Sequence, residues 1–145
     1  MTAKKSGLAF HCHHDRLYEF VYDYDERVNY IKQNKPADEI ELRLRLFKPI
    51  LEQLIPGRNS KEYAAYGKTW AAYGKKWAAY DKARAACVRK WAAYGKTWAA
   101  YHKASVACDK AWAAYDKKYG HEIENLHRKL CPDCTWNGKT IFPDK

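Results

Sequence analysis

The residues of this chain best suited to chemistry gather near its two ends. Cys131 and Cys134 stand in the run CPDC. A tight turn at that spacing can bring two sulfurs to about 2.3 Å from one tetrahedral ion. His127 precedes Cys131 by four residues, one helical turn, so both share a face. The run HCHH supplies His11, Cys12, His13 and His14. An extended segment points His11 and His13 to the same side. One of these histidines, or Cys12, would complete four-coordination. The ligand set expected is Cys131, Cys134, His127 and His13, holding a structural zinc. An open coordination position would instead suit catalysis. No carboxylate and general-base arrangement stands out, so no catalytic residue is assigned and a non-enzymatic protein is expected. A metal-dependent nuclease is the weakest alternative.

The elements that must position these ligands read as helical. Leu17, Phe20, Val21, Tyr24, Val28 and Ile31 follow a 3.6-residue period, predicting a helix over 15–34 with Asp15 as N-cap. Glu19, Asp23 and Glu26 lie three or four apart, a spacing open to a metal site, but a solvated helix face is the reading expected. Pro36 fits the first turn of a second helix, with Asp38 and Glu39 suited to its N-terminus. Pro49 ends that helix near Phe47. The run IPGRNS, residues 55–60, reads as linker, with Ser60 as a cap. The tail TWNGKTIFP holds an Asn-Gly turn that suits a small hairpin.

Between the two ends lies a repeat. From residue 64 the chain reads as eight heptads without insertion, AAYGKTW to AAYDKKY. With the last residue of each heptad as position a, Trp70, Trp77, Trp91, Trp98 and Trp112 fall at a. Tyr66, Tyr73, Tyr80, Tyr94, Tyr101 and Tyr115 fall at d. Their alternate spacing of three and four is that of a helical seam. Arg84 and Ser105 interrupt the a positions, and Cys87 and Cys108 the d positions. Position f is always basic: Lys68, Lys75, Lys82, Arg89, Lys96, Lys103, Lys110 and Lys117. Eighteen alanines favour helix, and no Pro or turn cluster interrupts the array. One continuous helix of roughly 100 Å is predicted.

The fold class expected is therefore all-α: a short helical pair, one long coiled-coil-like helix and a small metal-stapled C-terminal cap. The divisions are 1–56, a linker at 57–62, the array at 63–119 and the cap at 120–145. The net charge is +10, of which residues 63–119 carry +9, from twelve basic and three acidic groups. A positive field confined to one segment suits a polyanion such as nucleic acid. No apolar run reaches the ~20 residues of a membrane span. The start lacks the apolar region of a signal peptide. A reducing, cytoplasmic setting is expected, with the five cysteines as thiols or ligands.

The blocks LAFHCHHDRLYEFVYDYDERVNYIK and LRLRLF, the AYxKA-type heptads and the closing LCPDCTWNGKTIFP resemble uncharacterised proteins of phages and gut metagenomes. That resemblance implies an array of variable heptad number between two set ends. It implies no activity. The function expected is a self-associating helical rod, a scaffold or spacer whose aromatic seam joins copies. The alternative is a nucleic-acid-binding protein that uses the Lys row with Trp and Tyr stacking. On a straight helix HCHH and CPDC lie far apart, so an antiparallel homodimer is expected to close the metal site; a hairpin within the array would also close it, but no turn signal marks a bend.

Overall fold

The computed structural model describes residues 5–85 and 91–145, the side chains of 91–94 excepted. The chain forms two compact units, one of residues 1–56 with 122–145 and one of residues 57–121. Four α-helices and a three-stranded sheet are present among the described residues.

The first unit is built on strands β1 (Gly7–Phe10), β2 (Tyr18–Val21) and β3 (Lys48–Pro49), in the order β2-β1-β3. The fold is thus mainly helical but not all-α. The helix expected over 15–34 is corrected by this sheet. Residues 18–21 pair antiparallel with β1, from Gly7↔Val21 to Phe10↔Tyr18. Short apolar runs satisfy either period, and here pairing with the apolar run Leu8-Ala9-Phe10 prevails. All three of those residues are fully buried. Helix α1 begins only at Tyr24 and runs to Asn34. Asp23, not Asp15, caps it and accepts from the Asp25 and Glu26 amides at 2.8 and 3.0 Å. Helix α2 spans Ala37–Leu46 and follows Pro36 as expected. Pro49 lies on an edge strand, where its missing N–H costs little.

Two apolar clusters fill this unit. One joins Ala9, Cys12, Val21 and Phe47, with Tyr24 and Val28 against them. The other joins Leu46, Cys131 and Ile141, with Leu42, Cys134, Trp136 and Phe142 around it. The C-terminal tail is bound to the N-terminal block, the Ile141 amide donating to the His14 carbonyl at 3.0 Å. Its Asn137 side chain closes the Asn-Gly turn by accepting from the Lys139 and Thr140 amides, both at 3.0 Å. The expected hairpin reduces to that turn, with no strand assigned to it.

The array is two helices rather than one. Helix α3 spans Lys61–Ala85 and helix α4 spans Trp91–Leu130. They pack antiparallel. Tyr66 meets Tyr115 with ring centroids 5.9 Å apart, Tyr80 stacks on Tyr101 at 5.2 Å, and Lys118 pairs with Glu62 at 3.1 Å. The 100 Å rod is therefore corrected to two helices packed side by side. A long lone helix would leave its aromatic stripe in water. Folding back buries much of that stripe within one chain.

The register explains one interruption in the repeat. Both Tyr pairs set d opposite d, and the same register sets Tyr73 opposite the small, buried Cys108. A small residue thus faces an aromatic one in that layer, which keeps its volume within what two helices can enclose. Cys87 lies outside the described residues. Ser60 caps α3 as expected, its Oγ accepting from the Tyr63 amide at 3.1 Å. Gly57 has φ 62° and packs against the Tyr119 ring so closely that a Cβ would overlap it. Only glycine meets both demands.

Candidate metal centre

Three elements of the first unit converge on one point. Helix α4 delivers His127 in its last turn. The Cys131 amide donates to the His127 carbonyl at 2.8 Å, extending helical spacing by one residue past Leu130. The CPDC run then turns, and the Cys134 amide donates to the Cys131 carbonyl at 3.2 Å. Lys48 Nζ donates to the Leu130 carbonyl at 2.7 Å and satisfies one of the open carbonyls at the helix end. The fourth group arrives from the end of β1. It is His11, in the left-handed region at φ 53°, the sole non-glycine residue with positive φ among those described.

His11 Nε2 lies 3.0 Å from His127 Nε2 and 3.1 Å from Cys134 Sγ. One donor atom from each of His11, His127, Cys131 and Cys134 falls within 4.8 Å of the others. A tetrahedral zinc with bonds of about 2.0–2.3 Å needs donors roughly 3.4–3.8 Å apart. The four side chains fit such an ion after shifts of a few tenths of an ångström. The donor chemistry fits as well. Two imidazole nitrogens at 3.0 Å can share only one proton, whereas a cation accepts both lone pairs. A borderline-soft ion with nitrogen and sulfur donors is the match.

The surroundings hold the ligands in place. His127 packs edge-on against Phe10 with centroids 5.2 Å apart, and His11 lies 5.5 Å from Trp136. His11, His127 and Cys131 are buried and Cys134 is half-buried. Burial lowers His11 to a pKa of about 4, with His127 the next cause and a backbone interaction at Arg16 opposing it. Burial also lowers His127, followed by the charge of Lys48. Both imidazoles are thus neutral at pH 7, the form that ligates metal. Burial raises the Cys131 thiol to about 11, and its contact with Cys134 adds to the rise. A bound cation would reverse that preference and take the thiolate. A cleft of about 390 Å³ lies beside the centre and is lined in part by His127, Cys131, Cys134 and Trp136.

The ligand expected as His13 is corrected to His11. The left-handed turn at His11 breaks the strand alternation that would have kept the two histidines together. His13 instead contacts Glu19, with half of its side chain exposed. Nothing in the local pattern marks His11, because its rotation is set by the loop joining β1 to β2. There the His11 amide donates to the Leu17 carbonyl at 3.0 Å. All four side chains that could hold the ion belong to one chain, so a second copy is not needed to complete the set. That removes the reason for expecting an antiparallel dimer.

In the second unit the seam is centred on d. Tyr66 and Tyr115 are buried, and Tyr73, Tyr80 and Tyr101 are half-buried. At a, Trp70 and Trp112 are half-buried, while Trp77 and Trp98 are 44% and 47% exposed. The side chains of Trp91 and Tyr94 lie outside the described residues. Lys68, Lys75, Lys82, Lys96, Lys103, Lys110 and Lys117 are all exposed, and Arg89 lies outside the described residues. No described helix is long and apolar enough to cross a membrane. No protein-family model, curated protein or solved structure matches the chain.

Proposed function

We propose that this protein is a non-enzymatic scaffold: a zinc-stapled unit carrying a helical hairpin that associates with other copies of itself. The observation that carries the reading is the pair Trp77 and Trp98, each nearly half exposed on the hairpin. At 100° per residue, position a lies about 40° from d, and position g about 60° to the other side. In an antiparallel pair with d facing d, the a residues of both helices fall on one side and the g residues on the other. Val106 at position b, the third exposed large apolar residue of the hairpin, lies toward the a side as well. Exposed aromatic ridges of this kind mark interaction surfaces.

The occupant we assign to the ridge is the opposite side of a second hairpin. Beside the Trp residues, position e holds Asp81, Asp109 and Asp116. On the far side, position c is alanine throughout the array and position g holds Lys76 and Lys118. Alanine admits a close approach, and lysine complements aspartate. Unlike faces that pair in this way are heterologous and can add copies one after another. The heptad repeat then fixes the length of the stacked surface at roughly 10 Å per heptad in each arm. Zinc, with four protein ligands in a closed set, would serve as a staple and leave no coordination position for substrate.

Sedimentation velocity across a concentration series tests this reading. The wild-type chain should show concentration-dependent assemblies that Trp77→Ala with Trp98→Ala abolishes. A chain that stays monomeric at every concentration overturns it. Nucleic-acid binding is the second reading, supported by the seven exposed lysines at position f. The f row faces away from the Trp ridge, so binding there would be electrostatic rather than by stacking. Trp emission should then ignore oligonucleotides, while any affinity falls steeply with salt.

A further inference from the structure

Immediately beyond His11 the chain places a second set of donors on different atoms. Cys12 and His13 follow His11 in the loop after β1, and Glu19 stands in β2, paired with Ala9 of β1. Cys12 Sγ, a His13 ring nitrogen and a Glu19 carboxylate oxygen all lie within 4.8 Å of one another. None of these residues belongs to the centre formed by His11, His127, Cys131 and Cys134. Cys12 and Glu19 are 5% and 3% exposed, whereas the His13 side chain is 48% exposed. The group is therefore walled on its protein side and open along His13.

The chemistry of the group is unusual for a core. A glutamate on a short sheet is almost wholly withdrawn from water, and a buried carboxylate needs a cation or several donors. His13 Nδ1 contacts its Oε1. Cys12 also faces it, its sulfur within 4.8 Å of the Glu19 carboxylate. Arg27 stands close by, but its guanidinium donates to the Cys12 carbonyl and so holds the backbone of the loop. The carboxylate is thus met by two protons that a metal ion would displace. Thiolate, imidazole and carboxylate together carry two negative charges, which match a dication.

From this geometry we infer a second, independent metal site formed by Cys12, His13 and Glu19, suited to a borderline-soft divalent ion such as Zn²⁺, with solvent at its fourth position. Sulfur, nitrogen and oxygen donors in a set of three are what zinc accepts when one position stays open. The site is weaker than the first centre. It has one thiolate where the other has two, and the bound ion must share its neighbourhood with Arg27. The two sites would load in order, the closed centre first and this one at higher metal concentration.

The test is a metal titration of the full-length protein, with stoichiometry read by native mass spectrometry and by cobalt(II) absorption. Two ions per chain are expected at saturation. Glu19→Gln and His13→Ala should each leave one. His13 is exposed enough that its loss should not disturb the fold, and circular dichroism checks both variants. With Co²⁺, three thiolates contribute to the charge-transfer band, so Cys12→Ser should lower its saturated intensity by about a third. A wild-type chain that takes a single ion at saturation overturns the inference. So does a second ion that persists in both variants, or a cobalt band that Cys12→Ser leaves unchanged. The outcome does not depend on whether the hairpin self-associates.

Discussion

Replacing His11 and replacing His13 should have opposite consequences at the closed centre, although the two residues are neighbours in one histidine-rich run. Structural zinc sites bind with an apparent free energy of roughly 10–16 kcal/mol at neutral pH. If four ligands share that about equally, losing one costs roughly 2.5–4 kcal/mol. At 1.4 kcal/mol per decade this weakens binding by about 100- to 1,000-fold. His11→Ala should show that loss, because His11 Nε2 is in contact with both His127 and Cys134. His13→Ala should leave the tight site within about twofold of wild type. The assay is competition for Zn²⁺ against a chromophoric chelator of known affinity, measured on both variants and on Cys131→Ser as a reference. Comparable losses in His11→Ala and His13→Ala would refute the ligand assignment. Undiminished affinity in His11→Ala would do the same.

Three further outcomes follow from other parts of the fold. Excising residues 71–77 together with 106–112 removes one heptad from each arm and keeps the Tyr pairs, d opposite d, in step. That variant should fold cooperatively, whereas excising 71–77 alone shortens one arm against the other and should melt earlier by circular dichroism. Gly57→Ala should destabilise the chain by about 2–5 kcal/mol in urea denaturation, from left-handed backbone cost and overlap with Tyr119; a loss under 0.5 kcal/mol would contradict the packing. Metal-free protein should be destabilised by acid in a defined window. His11 and His127 lie below their unfolded value in the folded state, so the unfolded chain binds protons first. Stability should hold above about pH 7, fall as the pH drops through 6.5 and level off for His11 near pH 4. Chemical denaturation at stepped pH measures the slope, and His11→Gln should flatten it.

Which features could be read from the chain in advance follows from how local their causes are. Pro36 before α2, Ser60 at the start of α3 and the His127-Cys131-Cys134 run all act within a few residues, and all stand as expected. Residues 17–21 were ambiguous because their apolar spacing suits a helix turn and a short strand equally. Only their partner, Leu8-Ala9-Phe10, separates the two. The hairpin was legible in principle. Cys108 falls opposite Tyr73 when the array is folded on itself, a complementarity that a straight helix leaves unexplained. It escapes a search for turn residues because the run from Ala83 to Lys90 contains neither Gly nor Pro.

The sequence by itself determined the heptad seam, the basic row at f and three of the four groups at the metal centre. Each of these depends on helical or turn spacing alone. The tertiary structure decided the rest. It chose His11 over His13 because a loop tied to β2 rotates the backbone at His11 into the left-handed region. It divided the donors of one short run between two clusters. It also buried the tyrosine part of the aromatic stripe within a single chain and left Trp77 and Trp98 half exposed. Burying that stripe releases more water than a lone helix could, and the second arm needed to cover it was already present in the same molecule.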